Sequence, residues 1–182
     1  AWAAQKLKVG SMLRLDDHIK DDLFLEGTGS IVFDHENKLA YACASPRTNL
    51  SLLKTLCEQI GYQSVSFESL DLKGGQIYHT NVMMSVGSKL VVICLDSIQN
   101  SLEREMVRST IMKSGKEILE ITYQQMNHFA GNAFEVINQN GELVYVFSKA
   151  STDVLSKSKL DLLNKHYKVV LLSIPTIEKL CV

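Results

Sequence analysis

Proline is almost missing from this chain. The 2 prolines and 10 glycines among 182 residues leave no stretch with the composition of a long disordered linker. An excess of charge of either sign is missing as well. With 19 Lys and Arg against 20 Asp and Glu, the formal net charge of −1 provides no general attraction to nucleic acid or to an anionic membrane. Long apolar runs are lacking: runs such as 90–95 and 169–172 fall far short of the roughly 20 residues that a spanning helix needs. The start, Ala1-Trp2-Ala3-Ala4-Gln5-Lys6, has no basic segment leading into an apolar core, so no signal peptide is expected. Cysteines Cys43, Cys57, Cys94 and Cys181 show no metal-ligand spacing. They are expected to be buried, reduced thiols of a cytoplasmic protein.

What the chain does have is one order of elements, met three times. Short apolar strands over 30–34 and 39–44 flank the turn His35-Glu36-Asn37-Lys38. A helix over 49–60 follows, with Leu53, Leu56, Cys57 and Ile60 on one stripe and Gly61 as its stop, and then a strand over 64–68. The second round has strands over 81–86 and 89–95 across Gly87-Ser88, a helix over 101–113, and a strand over 117–122. Asn100 and Glu103 form a capping-box pattern at the start of that helix, whose stripe reads Leu102, Met106, Val107 and Ile111. The third round has strands over 133–138 and 142–147 across Gln139-Asn140-Gly141, a helix over 152–166 and a strand over 168–174. Helices alternating with short strands define an α/β class. A recurring unit of roughly 50 residues implies an array in which each unit buries its apolar face on the next. Apolar surface is then expected at both ends of the array, which leaves self-association into a homo-oligomer open.

Four segments break the strand and helix patterns. Leu25-Glu26-Gly27-Thr28-Gly29-Ser30 sets a carboxylate among glycines, where backbone can approach closely, although a plain turn explains it equally well. Ser45-Pro46-Arg47-Thr48 offers an Arg able to hold a carboxylate, or a solvated loop residue beside a helix cap. In Tyr78-His79-Thr80-Asn81-Val82-Met83-Met84 a His enters an apolar segment; from residue type alone a structural His is the commoner outcome, and the Met pair reads as core. Phe129-Ala130-Gly131-Asn132 reads as a tight turn or a ligand-facing one. His18, His35, His128 and His166 have no partner suggested by the sequence and are read as surface or turn residues.

Taken jointly and in this order, these four segments resemble the citrulline-utilisation hydrolase branch of the guanidine-modifying, amidinotransferase-like pentein superfamily. Arginine deiminase, agmatine deiminase and dimethylarginine dimethylaminohydrolase belong to the same superfamily. The resemblance runs from about Leu23 to Lys179. It implies a five-bladed α/β-propeller, of which this chain would hold about three strand-strand-helix-strand blades, near 24–69, 76–122 and 129–175, as one partial domain. The implied chemistry is hydrolysis of a C–N bond in an arginine-like guanidino or ureido compound, through a Cys–thiouronium intermediate with a His as general acid and base, and such thiolate chemistry needs neither metal nor other cofactor. His79 matches the catalytic His and Glu26 the carboxylate that orients it, while Arg47 matches a binder of the substrate α-carboxylate. Asn81 falls where some relatives carry an Asp, and Asn132 faces the same channel in this reading. Thr28-Gly29 replaces the Gly-Asp of many relatives, and the expected nucleophile has no match, since Cys181 lacks a glycine-rich context. An amidinotransferase and a non-catalytic remnant serving as a binding or oligomerisation module stay open as alternatives.

Overall fold

A computed structural model of the chain describes residues 12–180. It contains three three-stranded sheets, each built from strand, strand, helix and strand. In the first unit β1 (Val32–Asp34) pairs antiparallel with β2 (Leu39–Cys43), α1 (Leu50–Ile60) crosses over, and β3 (Gln63–Phe67) lies parallel to β2. The second unit repeats this with β4 (Met84–Val86), β5 (Leu90–Ile93), α2 (Ser101–Lys113) and β6 (Glu117–Glu120). The third uses β7 (Phe134–Ile137), β8 (Leu143–Ser148), α3 (Lys157–His166) and β9 (Lys168–Leu172). The mixed α/β class and the threefold order follow the sequence pattern.

The middle strands carry the core. Every residue of β2 and of β5 is buried. Because side chains alternate across a strand, β2 serves two layers. Ala40 and Ala42 pack with Ile31, Leu53 and Cys57 of α1, while Tyr41 and Cys43 join the large core that runs through all three units. Alanine at both helix-facing positions lets α1 lie close to the sheet. Asn49 caps α1 by accepting from Ser51 N and Leu52 N, and Gly61 ends it at φ 72°.

Several elements differ from the sequence pattern, each for a local reason. Residues 81–86 are not strand throughout: Thr80–Met83 is a helical turn and β4 begins only at Met84. The helix over 152–166 is broken. Ser148 caps a short turn, Lys149–Asp153, and Ser156 caps α3 afresh. Serine hydroxyls compete with the helix ladder at such points, and the freed Val154 carbonyl accepts from Gln125 Nε2 at 2.9 Å. Asn100 does cap α2, yet Glu103 turns away to accept from Glu68 N at 2.8 Å, so the reciprocal box is absent there. The reciprocal box is instead made by Thr122 and Gln125 at the turn Tyr123–Asn127. In α2 only Val107 and Ile111 of the expected stripe are buried, whereas Leu102 is 81% exposed. Ile60 is likewise exposed at the end of α1, while Leu52, near its start and outside the expected stripe, is buried.

Neighbouring units meet through their first strands, β1 beside β4 and β4 beside β7, while α2 packs on β3. Between the first two units the Lys116 ammonium, 2% exposed, lies 3.6 Å from Asp34 and 3.1 Å from Glu36, and donates to the Ser88 carbonyl at 3.1 Å. Between the second and third, a Cβ on Gly87 would stand 2.6 Å from the Tyr145 ring and 2.7 Å from the Tyr167 hydroxyl, so only glycine fits. Glu135 closes the same contact by accepting from Ser88 N and Oγ at 2.7 and 2.8 Å. In the third unit Phe134, Ile137, Leu171 and Leu172 are exposed apolar residues. Among the described residues no helix is long and apolar enough to cross a membrane.

Removing the Lys116 amine strands the buried Asp34 carboxylate. Lys116→Ala is expected to lower the unfolding free energy by about 3 kcal/mol, the scale for breaking one partner out of a buried pair. Urea denaturation checks it, and a loss below about 0.5 kcal/mol, the range of ordinary surface substitutions, would mean that the bridge does not hold the units together.

Candidate active site

Two short turns bring the first and third of the four segments together. Glu26 precedes the turn Gly27–Ser30, whose first residue sits at φ 49°, a region that favours glycine. His79, extended, precedes the turn Thr80–Met83, and the two turns pack on each other. Across a sequence separation of 53, His79 Nε2 lies 2.7 Å from Glu26 Oε2. The His79 side chain is 17% exposed and that of Glu26 42%, so the pair opens to solvent on the carboxylate side. A Cβ on Gly29 would come within 2.7 Å of His79 Nδ1 and Cε1. The imidazole therefore rests on bare backbone, and the glycine-rich composition of the segment has a steric cause.

Arg47 joins the pair from the segment after β2. Its Nη1 lies 3.8 Å from the same Glu26 oxygen, and its guanidinium stands 5.1 Å over the Tyr78 ring. Tyr78 in turn lies 4.9 Å, ring to ring, from His79, and its carbonyl accepts from Ser45 Oγ at 2.7 Å. The Arg47–Glu26 contact is exposed and long, so it contributes little stability. It leaves the guanidinium fork free to take an incoming carboxylate.

Asn81 and Asn132 come together in a second cluster. They line an open groove of about 330 Å³ with Thr28, Met84, Ala133 and Phe134, among others. The fourth segment reaches this groove because Gly131 packs directly on backbone: a Cβ there would sit 2.5 Å from the Val82 carbonyl oxygen. Glu26, His79 and Arg47 do not line the groove; it adjoins them through Thr28, two residues from Glu26, and Asn81, two residues from His79. Sequence reasoning missed Phe134, an exposed aromatic at the start of β7, and Tyr78 as the platform under Arg47. Their only signal was a ring beside a candidate polar residue. A hollow of about 360 Å³ on the third unit, between Thr152, Asp153, Leu160 and Asn164, stands apart from this cluster.

No thiol joins the pair among the described residues. Cys43, Cys57 and Cys94 are free and buried. Burial pushes all three thiols up, Cys94 to about 11, away from the thiolate that nucleophilic chemistry needs. Cys181 lies outside the described residues. Three of the other histidines have structural partners: His35 Nδ1 meets Tyr62 OH at 2.8 Å, His128 Nδ1 meets the Gln124 carbonyl at 2.8 Å, and His166 Nε2 meets Glu117 at 2.8 Å.

Against protein families, residues 3–181 match the model described as N,N-dimethylarginine dimethylhydrolase, eukaryotic. Among solved structures, the chain is similar to the substrate-bound N-terminal domain of ArgZ, an arginine dihydrolase of the ornithine–ammonia cycle in cyanobacteria. The TM-score is 0.67 at 18% identity, covering 87% of this chain and 53% of that one. It is also similar to a mutant of AgrE in binary complex with L-arginine, with TM-score 0.65, 16% identity, and coverage of 85% of this chain and 21% of that one. The chain thus spans about half the length of the ArgZ domain. None of the curated proteins compared with it matches.

Gly29→Ala is expected to push the His79 ring off Glu26, so that the hydrogen-bonded Nε2–H signal of His79 vanishes from ¹⁵N-histidine NMR spectra. An unchanged signal would mean the ring is not held by this contact. In alkylation with iodoacetamide near neutral pH, peptide mapping should find Cys43, Cys57 and Cys94 unmodified until denaturant is added. Rapid native labelling of any of them would contradict their burial.

Proposed function

The chain belongs to the N,N-dimethylarginine dimethylhydrolase family, and on that premise we propose that it is part of a hydrolase cleaving a C–N bond in an arginine-like guanidino or ureido compound. The observation that carries the reading is the 2.7 Å contact between His79 Nε2 and Glu26. A carboxylate only accepts, so Nε2 donates to it, and Nδ1 is the nitrogen that exchanges protons with substrate. A Cys thiolate, supplied from outside the described residues, adds to the guanidinium carbon. His79 then gives a proton to the departing amine as the C–N bond breaks. It takes a proton back from water, which attacks the thiouronium carbon and expels the thiolate. Glu26 orients the ring and stabilises the imidazolium, the role of the third member of a catalytic triad.

Substrate recognition follows from the two clusters. Arg47, held over Tyr78, takes the α-carboxylate, while Asn81, Asn132 and Thr28 offer neutral polar groups to the guanidino end. The arginine bound in the AgrE complex supports a ligand of this type. The three units are consecutive blades of a five-bladed α/β-propeller, together forming one partial domain, and their first strands β1, β4 and β7 face its axis.

The test uses the full-length gene product. Amine or ammonia release from arginine, citrulline, methylated arginine or agmatine is expected for at least one compound, and turnover of none would sink the reading. His79→Ala should lower kcat by roughly 10²–10⁴-fold, the usual worth of general acid–base catalysis. Arg47→Ala should raise KM roughly tenfold or more for substrates that bear an α-carboxylate, the scale of a lost charge-assisted hydrogen bond. It should leave agmatine, which has no carboxylate, unaffected; equal losses on both would remove Arg47 from that role.

A further inference from the structure

Two buried hydroxyls lie behind the Glu26–His79 pair, and neither takes part in the proposed chemistry. Thr80 and Ser30 are both fully buried. The Thr80 hydroxyl donates to the Ser30 carbonyl at 2.6 Å and accepts from Cys43 N at 2.9 Å. The Ser30 hydroxyl accepts from Glu26 N at 2.9 Å and donates to the Arg47 carbonyl at 2.8 Å. The Ser30 hydroxyl gives one hydrogen bond and receives one, and the Thr80 hydroxyl also stands 3.5 Å from Cys43 Sγ. Through Ser30 the two sets of bonds form one connected path that reaches the backbone of Glu26, Arg47 and Cys43 and the side chain of Thr80, the residue next to His79.

We propose that Thr80 and Ser30 are the positioning residues of this site, an inference that rests on reading Glu26 and His79 as its acid–base pair. The two turns that present the pair belong to different units and share no sheet hydrogen bond. The path of hydroxyls is what fixes one turn against the other: Thr80, fixed to Cys43 at the end of β2, holds Ser30, and Ser30 holds the amide of Glu26 and the carbonyl of Arg47. At Thr80 a hydroxyl is required because the Ser30 carbonyl and the Cys43 N–H are buried away from water, and at Ser30 it reinforces the longer direct bond, 3.3 Å, from Glu26 N to the Arg47 carbonyl. Thr80→Val keeps the shape and removes the bonds. The Ser30 carbonyl and Cys43 N–H must then separate to find water, and the separation moves Glu26 away from His79. Thr80→Ser keeps the bonds and loses only a methyl group.

The test reads the pair itself, by ¹⁵N-histidine NMR of this chain, with amide exchange in β5 as the measure of global folding. The slowly exchanging Nε2–H of His79 should be present in the parent chain and in Thr80→Ser. It should exchange at least tenfold faster in Thr80→Val and in Ser30→Ala, while the β5 amides stay protected. An Nε2–H that is unchanged in either of the latter two variants overturns the proposal. So does loss of β5 protection in both of them, because the hydroxyls would then be holding the fold rather than the pair. If only Thr80→Val unfolds, the Ser30→Ala spectrum decides. Absence of turnover in the parent gene product, with its Nε2–H present, would count against the acid–base reading and not against the hydroxyls.

Discussion

A three-stranded sheet with one helix on one face cannot close a core by itself, and this constraint shapes the whole molecule. The middle strand of each unit has two faces to bury, and its own helix covers only one. In the first unit the helix side is the small layer of Ile31, Ala40, Ala42, Leu53 and Cys57. The opposite side, with Tyr41 and Cys43, is completed by residues of the next unit in a core that runs from Leu39 to Tyr167. Each unit therefore depends on its neighbour, as in other repeat architectures. The polar contacts at the joints follow the same demand. Lys116 neutralises Asp34 where water cannot reach, and Glu135 takes both donors of Ser88 against the tightly packed Gly87.

The site is a product of those joints. Glu26 and Arg47 come from the first unit and its approach, His79 and Asn81 from the entry to the second, and Asn132 from the entry to the third. None of these residues sits within a strand or a long helix. They occupy the short connections that precede or follow the strands, and these connections are brought together because β1, β4 and β7 stand side by side. Close approach of backbone at two glycines sets the final geometry. Gly29 admits the His79 ring and Gly131 admits the Val82 carbonyl, each at a distance that a methyl group would forbid. Buried thiols elsewhere in the core are chemically quiet for a related reason: the packing that makes the core raises the cost of a thiolate.

Much of this was legible in the chain itself. The order of strands and helices, the Asn100 cap, the Gly61 stop and the burial of Met83 and Met84 follow from local periodicity and capping chemistry, which act over a few residues. The turn at Thr80–Met83 and the break before Ser156 escaped the pattern, because they depend on partners far away in sequence. Thr80 finds Ser30 across 50 residues, and the Val154 carbonyl finds Gln125 across 29. The exposed position of Leu102 has the same origin: a helix stripe records apolar periodicity, while the neighbour decides how much of it is covered.

The residue types at the site were fixed locally, as a carboxylate among glycines, an Arg after a strand and a His before one. Their resemblance to the motifs of a guanidine-modifying family singled them out, where composition and spacing alone favoured ordinary loop residues. Only the tertiary structure decided which of them meet. It joined Glu26 to His79 at 2.7 Å, placed Arg47 over Tyr78, and set Asn81 and Asn132 on an adjoining groove. The physical reason is that hydrogen bonds and ring contacts between units depend on how those units pack, and that packing is a property of the whole core rather than of any one segment.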